Sequence, residues 1–323
     1  MIAHLSCWNW FSHSTLLLAM GLAPAIAEPV TVELKDTFLV LTGGRTEILR
    51  YHTAELEPPD GMKKIYRKSG FIHPLRTPKG GVLTGVHPED HPHHTGIWHG
   101  WVKTRHGLEN PDFWNLPKKS GRVRFAGVKE LLEEGKTAGF RVYQEQVAFK
   151  GTPKREKVVL KELLEVRAKR KGSVNVVDYS VTQRNVSGVA LELPIHRYGG
   201  ALAYRGPLTW NLENSDYLTS KGKTRVDSHE TRARWCAVFG PTETGLGTLV
   251  MMGSPTNLDA PQRLRTWPEK EGKMFFNFAA TQEKAAELRA GEEWHFSYRL
   301  ITADGKMESE EIEKYWKEWV AEE

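Results

Sequence analysis

Between His87 and Trp101 the chain reads HPEDHPHHTGIWHGW, which places His87, His91, His93, His94 and His99 with Trp98 and Trp101 in one short run. The whole sequence holds 13 His and 11 Trp, so this segment concentrates both types. Three chemistries suit such a run. Imidazole titrates near neutrality, so a histidine beside Asp90 or Glu89 can give and take protons. Neutral imidazoles also bind divalent metals. In an extended loop His91 and His93 point the same way, which makes them the candidate metal pair, with His196 or Asp90 completing the set. No HExxH and no cysteine set accompanies them. Tryptophan beside glycine offers a flat surface for a ring-shaped ligand or for another stretch of backbone. The remaining reading is structural, with histidines satisfied by backbone carbonyls at a strand entrance.

A second segment has the same character. LPIHRYGGALAYRGP (193–207) sets His196 beside Arg197 and Tyr198, then Tyr204 and Arg205 after paired glycines. Arginine and tyrosine next to glycine suit recognition of hydroxyl or carboxylate groups, although a tight turn with surface arginines is the plain alternative. Arg225 and Arg232 add candidate ligand contacts among acidic neighbours. Asp112, in ENPDFW, lies a short hairpin beyond the histidine run, and Trp267 stands before Pro268 in a loop. Asn185-Val186-Ser187 has the form of a glycosylation acceptor. No GxSxG, GxGxxG or phosphate-binding loop occurs, which excludes the common hydrolase, dinucleotide and nucleotide readings.

These groups must be positioned by strands. VTVEL (30–34), FLVL (38–41), RVRFAGV (122–128), FRVYQEQVAF (140–149), SVNVVDYSVTQRN (173–185), GTLVMM (247–252) and WHFSYRLI (294–301) alternate with the strand period. KVVLKELLEVRAKR (157–170) is ambiguous between helix and strand. VHPEDHPHH reads as loop, and TGIWHGW as a strand with Ile97, His99 and Trp101 on one face and Trp98 on the other. One helix is clear at 308–321, where Ile312, Tyr315, Trp316 and Trp319 form an aromatic stripe expected to dock on the strands. Many strands, no βαβ rhythm and a single terminal helix predict an all-β fold, a large antiparallel β-sandwich formed by one domain over 28–323.

The chain has 323 residues and a formal net charge of +5, with the basic runs at 63–68 and 167–171 read as solvated faces. No nucleic-acid partner is expected. Residues 1–27 end in Ala25-Ile26-Ala27 after a short apolar run, which predicts an export signal cleaved near Ala27 and a periplasmic or extracellular protein. No later stretch is long and apolar enough to span a membrane. Cys7 falls inside the signal, leaving Cys236 alone and no intramolecular disulfide.

RYH (50–52), GFIHPLRTPKGGVLTG (70–85), DHPHHTGIWHGW (90–101), PIHRYGGALAYRG (194–206) and RARW (232–235) resemble an uncharacterised bacterial family commonly labelled "methane oxygenase PmoA-like". The resembling sequences carry Asp-His-Pro-Ser-Asn and Pro-Trp-His where this chain has GSPTN (253–257) and Thr266-Trp267-Pro268. A membrane oxygenase subunit needs several apolar spans, and this chain offers none after its signal. A more distant resemblance, to galactose-mutarotase-like supersandwich proteins, implies histidines and carboxylates working together on a sheet face.

The expected activity is therefore acid–base chemistry on a carbohydrate or related small-molecule ligand, as in an epimerase, mutarotase or lyase. His93, His94 or His196 would move the proton and Asp90 would orient the imidazole. Trp98, Trp101, His99, Tyr204, Arg205, Arg225 and Arg232 would contact the ligand. A divalent metal on His91 and His93 and a non-catalytic sugar-binding module are the alternatives.

Overall fold

The computed structural model describes residue 1 and residues 29–149, 155–268 and 273–322. The expected export signal, Met1 apart, lies outside the described residues. Nineteen strands are described. One eight-stranded antiparallel sheet runs, in spatial order, β1 (Val30–Leu34), β2 (Phe38–Gly43), β3 (Thr46–His52), β4 (Ile72–Leu75), β5 (Ile97–Gly100), β12 (Ala201–Arg205), β17 (Phe275–Ala279) and β16 (Arg263–Thr266). A second runs β13 (Asp216–Thr219), β14 (Trp235–Thr242), β15 (Gly245–Gly253), β19 (Glu293–Asp304), β10 (Val174–Asn185), β9 (Glu156–Lys171), β8 (Thr137–Phe149) and β7 (Gly121–Glu134). A small third sheet joins β18 (Ala286–Leu288), β11 (Leu191–Leu193) and β6 (Arg105–His106).

The two large sheets share one apolar core. Leu49, Ile72, Ile97, Leu202, Tyr204 and Phe276 of the first pack with Val142, Leu164, Val181 and Phe296 of the second. The ambiguous segment 157–170 is strand β9. Its inward residues Leu160, Glu162, Leu164, Val166 and Ala168 alternate with outward Lys161, Leu163, Glu165, Arg167 and Lys169. Pairing on both sides, with β8 and β10, overrides the helix preference of its Leu, Glu and Lys residues. The expected helix is α1 (Ser309–Glu322), with Ile312 and Trp319 buried on the outer face of the second sheet against Val176, Trp235, Val250 and Ile301.

Strand alternation in the first sheet decides what can reach a ligand. Trp98 pairs with Ala203, which pairs with Asn277, while Arg205 pairs with Phe275. These residues share the outer face, where Trp98, Ala203 and Phe275 cluster with Phe71, Val102 and Trp114. Ile97, His99, Leu202 and Tyr204 point the other way, into the core. Gly96, at φ 56°, lets β5 approach β4, since a Cβ there would lie 2.0 Å from the Ile72 carbonyl oxygen. The glycine beside Trp98 thus admits backbone rather than a ligand.

Candidate active site

On the outer face of the first sheet a cleft of about 480 Å³ is lined by Asp90, His91, His93, His94, Val102, Trp114, Asn115, Pro117, Lys118, His196, Arg197 and Tyr198. Three loops converge there. The Pro88–His94 loop is closed by its own turns, with His91 N–H donating to Pro88 O and His94 N–H to His91 O. The 112–118 turn is organised by Asp112, which accepts from the Trp114 and Asn115 backbone amides, Asn115 Nδ2 and Lys118 Nζ. Asp112 therefore shapes the cleft wall and leaves the histidines to Asp90. The third loop carries His196 to Tyr198, the latter held by Asn277 Nδ2 donating to its carbonyl (2.6 Å).

Asp90 is the electrostatic centre. Its Oδ2 accepts from His91 Nδ1 at 2.7 Å, and its Oδ1 from Arg205 Nη2 at 3.2 Å, with Lys273 Nζ 3.5 Å away. Burial alone would raise this carboxyl, but the His91 hydrogen bond and the Arg205 and Lys273 charges outweigh it and hold it well below the usual carboxylate range. An ionised carboxylate only accepts, so His91 Nδ1 carries a proton, and in the neutral ring the lone pair is on Nε2. Across the cleft, His196 Nδ1 accepts the Tyr198 N–H at 3.4 Å, which leaves its proton on Nε2. Burial, with the nearby Lys103, Arg197 and Lys118 charges, lowers the His196 pKa.

His93 and His94 stand apart from the carboxylate. Burial is the main cause that lowers His93 to about 3 and His94 far below its ordinary value; the neighbouring histidines, Lys68 and Arg205 lower both further, and Asp90 opposes this at His93. His94 stacks on Phe275 at 4.9 Å and lies 5.2 Å from Trp98. Both rings are neutral lining, poor at accepting protons near neutrality. The sequence predicts that Asp90 orients the imidazole of His93, His94 or His196; the histidine it contacts is His91. The His91 and His93 rings lie 5.7 Å apart. Among the described residues no three His, Cys, Asp or Glu side chains gather closely enough to hold a metal ion.

Several expected ligand contacts lie elsewhere. His99 and Trp101, each 1% exposed, sit in the inter-sheet core, where Trp101 Nε1 donates to Gln183 Oε1 and Gln183 Nε2 donates to His99 Nδ1. Tyr204, on the same inner face, donates to Leu83 O. Arg225 is buried over Tyr217 and bound to Ser215. Arg232 is engaged by Asp259 and Glu283 on another part of the surface. Arg205 acts through Asp90, and Trp98 forms the floor behind His94. Asn185 is fully buried and donates to Val189 O and Leu288 O, which closes the glycosylation acceptor.

Two groups escaped the sequence reading. Trp114 supplies the aromatic wall, and its signal was the Asp112 turn immediately before it. Lys68, in a run read as a solvated face, is 2% exposed with its ammonium 4.9 Å over the Trp98 ring and, among the described residues, no hydrogen-bond acceptor. Burial lowers it to about 7. The Ser-Gly-Phe that follows Lys68 and leads into β4 was its one sequence signal.

No curated protein matches the chain. Among solved structures it is similar to a polysaccharide lyase (13% identity, 92% of this chain, TM-score 0.35), of whose length it spans 35%. It is also similar to a galactose mutarotase related enzyme from Lactobacillus acidophilus (10% identity, 86% of this chain and 99% of that one, TM-score 0.38). A putative aldose 1-epimerase from Escherichia coli K12 is comparable (7% identity, 85% and 99%, TM-score 0.38). Likeness at these scores lends no weight to any one chemistry. From residue 39 to residue 317 the sequence matches a protein family described as "Family of unknown function (DUF6807)". That match spans most of the chain, which therefore belongs to the DUF6807 family.

Proposed function

We propose that this chain is a carbohydrate-active enzyme that binds a sugar or sugar derivative in the histidine cleft and moves a proton on His91, which takes it from the substrate and returns it, while the neutral His196 Nε2–H donates a hydrogen bond to the substrate oxygen that gains charge. The observation that carries the reading is a pair of contacts on two sides of one cleft, His91 Nδ1 against Asp90 Oδ2 at 2.7 Å and the Tyr198 N–H against His196 Nδ1 at 3.4 Å, from which we infer a free Nε2 lone pair on neutral His91 and an Nε2–H on His196. Epimerisation, ring opening at the anomeric carbon and β-elimination all take a proton from one position and return one at another. Trp114 and Tyr198 provide apolar surface for a sugar's C–H face, and Asn115, His93 and Lys118 provide hydroxyl partners. Asp90 keeps His91 in the right tautomer and stabilises the imidazolium formed when it takes the proton.

The test is proton NMR in D2O on a panel of aldoses, uronates and short oligosaccharides, following anomeric exchange and loss of C–H signals. His91→Gln is expected to lower kcat about 10²–10⁴-fold while changing KM little. Wild-type turnover in that variant would sink the assignment. Saturable sugar binding with no turnover on any panel member would instead favour a non-catalytic binding module. Independently of substrate, ¹⁵N NMR of the imidazoles should find His91 protonated on Nδ1 and His196 on Nε2. The proposal also places the protein outside the cytoplasm, from the Ala25-Ile26-Ala27 pattern. N-terminal sequencing of the mature chain should then begin near Glu28, and a chain retaining residues 1–27 would refute export by cleavage.

A further inference from the structure

Among the described residues that line the cleft, cations outnumber carboxylates. Asp90 is the one carboxylate there, and His91, Arg205 and Lys273 already share it. Lys118 is paired with Asp112 at 2.6 Å. Arg197 at the mouth lies 5.2 Å over Tyr198 and, among the described residues, has no carboxylate in ion-pair range.

Beneath the histidine loop the imbalance continues. Lys68 and Arg205 are each 2% exposed, and among the described residues Lys68 Nζ and Arg205 Nε and Nη1 have no hydrogen-bond acceptor, while Arg205 Nη2 holds Asp90. Both cations act on the His93 and His94 rings, so they flank the loop that lines the cleft. Buried charge without a counter-charge is unfavourable. A low-dielectric pocket with surplus positive charge raises the local concentration of anions and strengthens their binding.

We propose that the ligand is an anionic sugar, its carboxylate or ester anion held by Arg197 at the mouth while its ring lies on the Trp114–Tyr198 wall. The guanidinium fork accepts either planar or tetrahedral oxyanions bidentately. Arg205, which shares the Asp90 carboxylate with His91 and Lys273, and Lys68, which burial lowers to about 7 so that it carries about half a charge at neutral pH, add a field that neutral sugars cannot use. This inference rests on the cleft being a carbohydrate site, and it adds the substrate class.

The experiment is calorimetric titration of the full chain at low salt with D-glucuronate, D-galacturonate, glucose 6-phosphate, D-glucose and D-galactose, with citrate as a non-sugar anion. The anionic sugars are expected to bind about tenfold or more tightly than their neutral parents, as one charge-assisted hydrogen bond predicts. Added salt should shrink that preference. Uronate ahead of phosphate identifies a carboxylate as the recognised anion, and the reverse identifies an ester. Arg197→Gln, at an exposed position, should remove most of the preference, and Lys68→Met should reduce it through the field alone. Neutral sugars binding equally well, or a preference unchanged in both variants, overturns the charge inference and leaves the proton-transfer reading standing. Citrate binding with no sugar bound overturns the sugar and keeps the anion, and no saturable binding by any anion overturns the proposal.

Discussion

At the residue scale the cleft shows how one hydrogen bond sorts chemically identical side chains. His91, His93 and His94 lie on one loop, with ring centroids 4.6 to 5.7 Å apart. Only His91 has the Asp90 carboxylate, and so only His91 has a fixed tautomer with a charge poised to receive its imidazolium. His93 has lost basicity to burial, at about 3. The variant pair His91→Gln and His93→Gln therefore separates proton transfer from lining, with the first losing turnover and the second losing affinity. All four positions expected for acid–base work, Asp90, His93, His94 and His196, line the cleft. The Asp90–His91 and His196–Tyr198 contacts are local, while the Arg205 contact to Asp90 and the Phe275 ring that buries His94 come from residues far apart in sequence, which spacing does not encode.

At the element scale the inner face of the sandwich holds a polar network that the strand pattern hides. Glu162 of β9 accepts from Gln144 Nε2 (3.1 Å), Gln146 Nε2 (2.6 Å) and Gln183 Nε2. Tyr51 donates to Gln144, and Gln183 links to Trp101 and His99. Burial raises Glu162 to about 7, against the lowering effect of the three amides. Between its ordinary value of 4.5 and about 7 the folded chain keeps a proton that the unfolded chain releases. Stability from this group is thus present in mild acid and lost as pH rises towards 7. The unfolding free energy of wild type minus that of Glu162→Gln should fall by about 3 kcal/mol from pH 4.5 to pH 8. Denaturant melts across that range measure it, and a flat difference would mean Glu162 is ionised throughout.

At the scale of the whole molecule, buried histidines govern acid stability. His73 and His99 are lowered to about 4 and about 3, with burial the largest cause in each, and His93 and His94 are lowered likewise. Below 6.5 the unfolded chain takes up protons at these positions and the folded chain does not, so stability falls as pH falls. Four such groups weaken folding by about 5 kcal/mol per pH unit, against about 1.4 gained at Glu162 above pH 4.5. With a total stability of about 5–10 kcal/mol, cooperative acid unfolding is expected at a midpoint between about pH 4 and 5.5. Near-UV circular dichroism during acid titration checks this. A signal retained to pH 3 would show that these imidazoles are reached by water. Among the described residues no helix is long and apolar enough to cross a membrane.

Local pattern alone determined the sandwich, because period-two alternation and one amphipathic helix are written along the chain. It also singled out the loop 87–94 and the His196 segment, residues of which line one cleft. Only the tertiary structure decided which side of the sheet mattered. A strand sends neighbours to opposite faces, so Trp98 and Arg205 serve the site while His99, Trp101 and Tyr204 fill the core. It also decided charge, because whether Lys68 is solvated or buried, and whether Asp90 meets His91 or His93, depends on what folds over them from elsewhere in the chain.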